Sequence, residues 1–566
     1  MGGGSKGYKA GGAVSLYNQE YWTIRDIEVT NMGEDAAYRM GISVYCENMI
    51  GCGYTIDNVT VHDVNGGVKD SSVKQMNDNH WSGGIVLRAE VTAKDKEGYL
   101  DDILIENCEA YDLARTAITV VSNWNSPIAL ADNSYATNVV IRNNLVHNID
   151  GDGIVACGTD GALVEHNVAY DTNMMSLKGN PAANIGIWGL HSKNGVFRYN
   201  ESYLCHTTHD GYGYDVDGDC NNMTFEYNYS HDNDGGFILL VNYRNQDLTV
   251  RYNISQNDHQ FGIASAHFPN SPSSYWNLSG KIYNNTIYSK ERGKKIMLMF
   301  GRPKHLEFYN NLIYAEADEV SEIPCSNPEN LFRSNNLYYF GNSASVPKVD
   351  EENAIVGKNP KLVAAGTGEI GMDTLDGYKL FEDSPCLGNG MNIENNGGLD
   401  YYGNEVGDIA NIGAYGGDGI SYADEGAGEL AKKNEVHFKI GDSYMEAGGG
   451  RMPADKRDSS AAPYIKNGIT MVPVRAAAEA LGCKTEWVYE SRKTVIDGTA
   501  GKLEFFADSG KYVFDDITRS WSCEPEIKNG ILYVPLRDIC KVMKKELLWL
   551  ESGDMYITDN PKLYEQ

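Results

Sequence analysis

The chain has 566 residues, more than one compact core usually holds, so its length predicts several domains or one elongated repeat. It carries 48 basic and 78 acidic residues, a formal net charge of −30, which disfavours binding to nucleic acid or to an anionic membrane surface. No apolar run is long enough to span a bilayer. The 11 cysteines include no CxxC pair, which predicts buried thiols rather than disulfides, zinc ribbons or redox chemistry.

The N-terminal stretch MGGGSKGYKAGG lacks the basic and apolar regions of a signal peptide. Taken literally, it indicates a chain that is soluble and not exported. It also starts abruptly before the first strand pattern, which is consistent with a truncated N-terminus as well.

One pattern recurs along the first half of the chain: an alternating strand, an Asn or Asp at a bend, and a second short alternating strand. Its copies are residues 22–31, 54–64, 101–112, 137–148, 161–171, 194–204, 222–232, 247–257 and 278–289. A further strand that starts at a glycine accompanies most copies, at residues 41–45, 84–88, 153–157, 186–190, 213–217, 236–240 and 262–266. A unit of this size cannot bury its apolar face alone, so the pattern predicts coils that stack on one another.

These repeats resemble right-handed parallel β-helix proteins, whose coils have three short strands with an Asn-bearing bend between two of them. The resemblance covers roughly residues 10–345, and LFEDSPCLGNG (380–390) with IGAYG (412–416) is similar to the closing segment of bacterial β-helix enzymes. A β-sandwich, the alternative, predicts Asn-Gly hairpins, which are scarce between these strands. We therefore expect an all-β fold, with a right-handed parallel β-helix solenoid as a catalytic domain over residues 1–420.

The last third of the chain differs in pattern. After a linker predicted at 421–434, IKNGITMVPVRAAAEALG (465–482) is repeated 62 residues later as IKNGILYVPLRDICKVMK (527–544). Each copy predicts a turn, a strand and a helix, so residues 435–566 are expected to form a small duplicated α+β domain. The duplication resembles the copper-amine-oxidase N-terminal-like domain, which implies a stalk module at the cell surface or outside the cell of a Gram-positive bacterium. Residues 435–560 contain no His cluster for copper, so we assign this domain no redox chemistry.

The segment HDGYGYDVDGDC, residues 209–220, concentrates four aspartates. Aligning the glycine-led strands on their glycines places large apolar residues one position later, so that column is predicted to face the interior. Asp215 and Asp217, two and four positions after Gly213, are then predicted to face solvent, with Trp188 and Ile238 on the strands beside Asp215 at about 4.8 Å per coil.

Paired outward carboxylates are typical of glycoside hydrolysis. Two residues apart on one face, Asp215 and Asp217 have Cα atoms about 6.5–7 Å apart, within the range of roughly 5 to 9.5 Å that the two carboxyl groups of glycosidases span. Asp210, in the bend before the strand, is the third catalytic candidate, and mutual repulsion is expected to keep one carboxyl protonated. By resemblance, lacto-N-biosidase-like enzymes of this fold use two aspartates a few residues apart, a pattern that Asp210 and Asp217 match.

Aromatic and polar residues at the ends of neighbouring strands are predicted to line a sugar-binding groove, because a sugar stacks its flat face on an aromatic ring and hydrogen-bonds through its hydroxyls. The residues predicted to bind substrate are Trp188, His191, Tyr243, Arg244 and His267.

Two other functions stay open on sequence alone. A calcium-dependent polysaccharide lyase would use Asp215, Asp217 and Asp219 as calcium ligands, with Arg244 or Lys178 as the base. In a surface glycan-binding protein without catalysis, the aspartates would serve only the bends. A glycosidase without cofactor is the favoured function. The expected partners are a glycan substrate, no nucleic acid and no inserted membrane, with a companion subunit or N-terminal segment capping the first coil.

Overall fold

The computed structural model describes residues 11–34, 39–65, 82–123, 134–178, 184–207, 210–259, 261–266, 276–290, 297–316, 325–340, 351–498, 501–514 and 516–564. Alternating apolar residues in the repeats bury one face of each strand, and successive coils pair in parallel along two sheets. The predicted all-β class and the parallel β-helix are confirmed.

One sheet, here called the site sheet, contains ten parallel strands in chain order. They are Gly12–Tyr17, Met40–Glu47, Gly83–Glu90, Thr116–Ser122, Ile154–Cys157, Ile187–Leu190, Tyr212–Val216, Gly236–Val241, Phe261–Ala266 and Met297–Met299. The sequence pattern missed the first, fourth and tenth of these strands; the fourth and tenth, Thr116–Ser122 and Met297–Met299, do not begin at a glycine.

The other 22 described strands of the solenoid form the bend sheet, which holds the strands on both sides of each Asn bend. They are Trp22–Asn31, Ile50–Val64, Tyr99–Glu106, Glu109–Leu113, Ala136–Arg142, Leu145–Ile149, Thr159–Asp160, Leu163–Glu165, Val168–Thr172, Val196–Arg198, Glu201–Cys205, Thr224–Glu226, Tyr229–His231, Leu248–Arg251, Ile254–Gln256, Ser279–Tyr283, Thr286–Ser289, His305–Tyr309, Leu312–Ala315, Leu331–Ser334, Leu337–Phe340 and Ile355–Val356.

A column of buried asparagines follows the bends along the solenoid. Its members are Asn144, Asn167, Asn200, Asn228, Asn253, Asn285, Asn311 and Asn336, and none is more than 2% exposed. In each, the backbone N–H and Nδ2 both donate to the side-chain oxygen of the next asparagine, and Asn336 donates to Glu351 instead. Since buried polar groups need partners, the column explains why Asn recurs at this position.

Residues 360–420 close the side of the later coils. Their short 3-10 helix Met372–Tyr378 packs with Tyr229, Ile254 and Tyr288 of the bend sheet in one apolar cluster. A helix, Glu425–Lys432, then occupies most of the segment predicted as a linker, and its N-cap Asp424 accepts a hydrogen bond from the Ala427 N–H at 2.8 Å.

The duplicated C-terminal unit has its own core, and the predicted turn–strand–helix repeats are present. The strand Ile469–Pro473 leads into the helix Val474–Ala480, Ile531–Pro535 leads into the helix Leu536–Val542, and the two strands pair antiparallel. The other strands of the unit are Val436–Lys439, Tyr444–Ala447, Gly450–Pro453, Tyr464–Lys466, Lys484–Val488, Lys493–Gly498, Gly501–Phe506, Lys511–Phe514, Ile517–Ser520, Glu526–Lys528, Glu546–Trp549 and Asp554–Thr558. Within the described ranges, further 3-10 turns are Met174–Lys178, Pro328–Asn330 and Pro561–Tyr564.

Two further sequence-level expectations concern membranes and cysteines. In the ranges that the structure describes, no helix combines the length and apolarity needed to cross a bilayer. All 11 cysteines lie within those ranges as free thiols, as predicted, and eight of them are buried.

Candidate active site

The strand Tyr212–Val216 carries Asp215 between two neighbouring coils. In the parallel register, Asp215 is level with Trp188 on one side and with Leu239 on the other. The predicted neighbour Ile238 is wrong by one residue, because Tyr212 rather than Gly213 pairs with Gly236, and Ile238 lies beside Tyr214 in the interior. A one-residue slip moves a side chain to the other face of a strand.

The face that carries Asp215 is not open to solvent, contrary to the prediction. Asp215 is 4% exposed, Trp188 5% and Leu239 6%. The apolar side chains of this face form a second buried cluster outside the solenoid interior, with Met40, Tyr45, Val86, Val121, Val155, Cys157, Ile185, Trp188, Leu190, Tyr212, Leu239 and Val241. The alternation of a single strand shows which way a side chain points, but it does not show what packs over it.

Asp210 lies in the bend before this strand and is half-buried. Its backbone passes so close to the next coil that a Cβ on Gly235 would lie 1.8 Å from the Asp210 carbonyl oxygen. Only a glycine allows this approach, and the Gly235 N–H donates to the Gly211 carbonyl at 2.9 Å. Burial raises the pKa of the Asp210 carboxyl to about 7, with a smaller contribution from the charges of Asp217 and Asp152.

Asp217, at the other end of the strand, is also half-buried. One of its oxygens accepts a hydrogen bond from the Gly218 N–H at 2.6 Å. Burial raises the pKa of Asp217 to about 6, and the bond from Gly218 opposes that rise because it stabilises the charged form.

Asp215 lies between these two and differs from them in burial. Its pKa is raised well above the ordinary value, first by burial and then by the charges of Asp217, Asp210 and Asp152. Its Oδ1 is buried and accepts no hydrogen bond in the described structure. An apolar setting and an unpaired oxygen both favour the neutral acid.

Asp152 is the site residue that the sequence argument missed. It is fully buried and precedes the strand Ile154–Cys157. Its carboxylate accepts hydrogen bonds from the Trp188 indole Nε1 and the Ile185 N–H, both at 3.1 Å, and from the Thr116 hydroxyl at 3.4 Å. The available signal was an aspartate directly before the strand glycine Gly153, where the next glycine-led strand has the apolar Ile185.

The polar residues predicted to line a groove meet beyond Asp217, at the end of the strand. Asp219 forms an ion pair with Arg244, whose guanidinium lies 4.9 Å from the centre of the Tyr243 ring. His191 is close enough for both charges to act on it, and burial lowers the pKa of its imidazole. His267 lies outside the described residues, as does the side chain of Lys178.

Metal ligation has no support in the described ranges. No group of three or more His, Cys, Asp or Glu residues there is arranged to hold a metal ion. Of the alternative calcium ligands, Asp219 forms an ion pair with Arg244, and Asp215 is buried in an apolar setting.

A cleft of about 1020 Å³ elsewhere, between the solenoid and the C-terminal unit, contains none of these aspartates and is lined by residues such as Tyr288, Glu316, Lys545 and Asp559.

What the aspartates can do follows from their pKa values. A carboxyl with a pKa of about 7 is still about half protonated at neutral pH, and that protonated form can donate its proton. A second one with a pKa of about 6, stabilised as the anion by a backbone N–H, is the better base or nucleophile. Acid–base hydrolysis of a glycoside requires two carboxyls in different surroundings, one that acts in the protonated form and one that acts as the anion.

Comparisons with known proteins agree with this architecture. The family described as right handed beta helix region matches residues 122–271. The family described as copper amine oxidase N-terminal domain matches residues 452–557. The fold of the solenoid is thus a parallel β-helix, and the C-terminal unit is similar to the second family over the residues matched.

Among individual proteins, the chain is similar to a lacto-N-biosidase of Bifidobacterium longum subsp. longum, with 28% identity over 465 residues that cover 68% of this chain. The chain spans 27% of the length of that curated relative. A solved structure of a GH136 lacto-N-biosidase from Eubacterium ramulus matches with a TM-score of 0.39 and 22% identity, over 49% of this chain and 47% of that one. The structure of XylC with xylose matches with a TM-score of 0.34 and 12% identity, over 66% of this chain and 65% of that one.

Proposed function

We propose that the chain is a glycoside hydrolase that acts through Asp210 and Asp217. The observation that carries this proposal is the pair of half-buried carboxyls, with pKa values of about 7 and about 6, at the two ends of one strand of the site sheet. The similarity to a lacto-N-biosidase supports the same chemistry and makes a lacto-N-bioside the first substrate to test.

In this proposal Asp210 is the general acid that protonates the leaving oxygen. Asp217, held as the anion by the Gly218 N–H, is the nucleophile or base at the anomeric carbon. Asp215 is too buried to touch a sugar and stays neutral between them. His191, Tyr243 and Arg244, at the Asp217 end, are the proposed binding groups for the sugar hydroxyls.

The test is hydrolysis by the purified chain of an aryl lacto-N-bioside and of neutral aryl glycosides, with calcium or with chelator. We expect release of reducing sugar without unsaturated product, at rates within about twofold of one another in calcium and in chelator, because the proposed chemistry needs no metal. Pectate and other uronate polymers are assayed in parallel by ultraviolet absorbance. A calcium-dependent unsaturated product would contradict the proposal and indicate a lyase. No product from any of the substrates would contradict it as well and indicate a binding protein.

We also propose a location at the surface or outside of a Gram-positive cell, on the ground of the C-terminal domain match. A companion subunit or segment over the first coil is proposed because Tyr21, Trp22 and Met32 there are 76%, 46% and 63% exposed. Exposed apolar patches of this kind mark contact surfaces. We expect the purified chain to self-associate in size-exclusion chromatography, and a monodisperse monomer would contradict the proposed contact.

A further inference from the structure

Asp152 is held in the site sheet by hydrogen bonds to the coils before and after it. Its backbone carbonyl accepts from the Ala117 N–H at 3.0 Å, in the preceding coil. Its side chain binds forward to the next coil, with Oδ1 shared by the Ile185 N–H and the Trp188 indole. The three hydrogen-bond donors on this fully buried carboxyl stabilise its charged form.

The surroundings support a buried anion at this position. Arg115, itself 1% exposed, packs against Gly151 directly before Asp152 and donates to the side-chain oxygen of Asn184 at 2.7 Å. In the described ranges, the other titratable and charged groups around Asp152, Asp210, Asp215 and Asp217 are Arg88, Cys157, His191, Cys205, Tyr212, Asp219, Cys220, Asp234 and Arg244. Of these, burial raises the pKa of the three thiols and of Tyr212, so they stay neutral near pH 7.

Trp188 connects Asp152 to the reacting pair. Its backbone lies level with Asp215, and its indole N–H is held by Asp152. The same carboxylate acts through space on Asp210, Asp215 and Asp217, and in each case it favours the protonated form. Asp152 thus orients the Trp188 ring beside the aspartates, and its negative charge acts on all three of them.

We propose that Asp152 is a positioning residue of this active site, which fixes the Trp188 indole and places a buried negative charge beside the Asp210–Asp217 pair. This inference rests on the proposed function. Asp152 contacts no substrate; its charge adds to the effect of burial and of Asp217 in raising the pKa of Asp210, and its carboxylate holds the ring that borders the site.

The test compares Asp152→Asn with the wild-type chain in two measurements. The amide oxygen of Asn still accepts from Trp188 and Ile185, so the substitution removes the charge and keeps the shape. We expect both limbs of the pH profile of kcat/KM to move to lower pH, by about one unit on the alkaline side. Trp188→Phe, which lacks the indole N–H, is expected to lower kcat/KM by about tenfold without moving the profile.

The second measurement needs no activity. Because folding raises the pKa of Asp210 from 3.8 to about 7, the folded chain holds more protons than the unfolded chain across that range, and the contribution to the free energy of unfolding falls as pH rises through it. The thermal midpoint is measured between pH 5 and pH 8, roughly the upper part of that window. Across this range the midpoint of Asp152→Asn is expected to fall less than that of the wild-type chain.

Asp150→Asn, at a half-buried position two residues before the fully buried Asp152, is the matched control and should leave both measurements unchanged. Unshifted pH limbs, or the same fall of the midpoint as in the wild type, would overturn the inference even if activity decreased. If the wild-type chain cleaves no glycoside, the proposed function fails, and the unfolding measurement alone decides the placement of the charge.

Discussion

Replacing Asp217 or Asp210 by Asn is expected to lower kcat on an unactivated glycoside by about 100- to 10,000-fold, the usual loss on removal of a general acid or base. The two variants should differ when the leaving group is a stabilised phenolate such as dinitrophenolate. That leaving group needs no proton, so Asp210→Asn should recover much of its activity, whereas Asp217→Asn should not. Initial rates on matched aryl glycosides give both values.

Two further substitutions serve as controls for the catalytic pair. Asp232→Asn replaces an aspartate in the bend of the next coil, whose carboxylate contacts His231 and faces solvent, and it should keep wild-type activity. Asp215→Asn should stay within about tenfold of wild type, since a buried neutral acid is replaced by a neutral amide. A total loss in Asp215→Asn with full activity in Asp210→Asn would assign the acid to Asp215 instead.

Replacing Asn228 by Asp is expected to destabilise the solenoid by about 3 kcal/mol or more, because an unpaired buried polar group costs about 1–3 kcal/mol and a charge costs more. Asn228 is fully buried, and its Nδ2 donates to the Phe197 carbonyl at 2.9 Å and to the Asn253 side-chain oxygen at 3.0 Å. A carboxylate cannot donate, so both acceptors face a negative charge. Chemical denaturation followed by tryptophan fluorescence measures the change.

The matched control for the asparagine column is Asn222→Asp. Asn222 is exposed, has a φ of 51°, and its Nδ2 contacts Asn194 at 2.8 Å. Asp tolerates the left-handed conformation, so this change should stay within about 1 kcal/mol of wild type. Equal effects of the two substitutions would show that the column does not carry the stability assigned to it.

Local patterns predicted most of the solenoid correctly. Alternation on both sides of an Asn bend identified coils from Trp22 to Ser289, because a strand has a side-chain period of two. The coils at 305–315 and 331–340 show the same pattern; they lie within the resemblance that reaches about residue 345 but not among the repeat copies identified in the sequence. Both strand–helix copies of the C-terminal domain were also recognised, since a run of small and apolar residues after a short strand changes the period.

The site was predicted less completely, for reasons that can be traced to particular residues. The placement of Ile238 failed because a glycine marks the start of a strand without setting its register, which depends on pairing with the coil below. Trp188 was expected on an open surface and is buried, because burial depends on what packs over the sheet. Asp152 was missed because its partners are 33 and 36 residues away in the chain and adjacent only after the coils stack.

The sequence by itself determined the strand period, the bend asparagines, the duplicated C-terminal unit and the aspartates of 210–219, because each of these features depends on residues close together in the chain. Only the tertiary structure decided which aspartate stays neutral, which is held as an anion and which charge acts on the others. Those properties depend on desolvation and on hydrogen bonds between coils, which come into existence only when segments about 25 to 35 residues apart, such as Asp215 with Trp188 and Leu239, lie side by side.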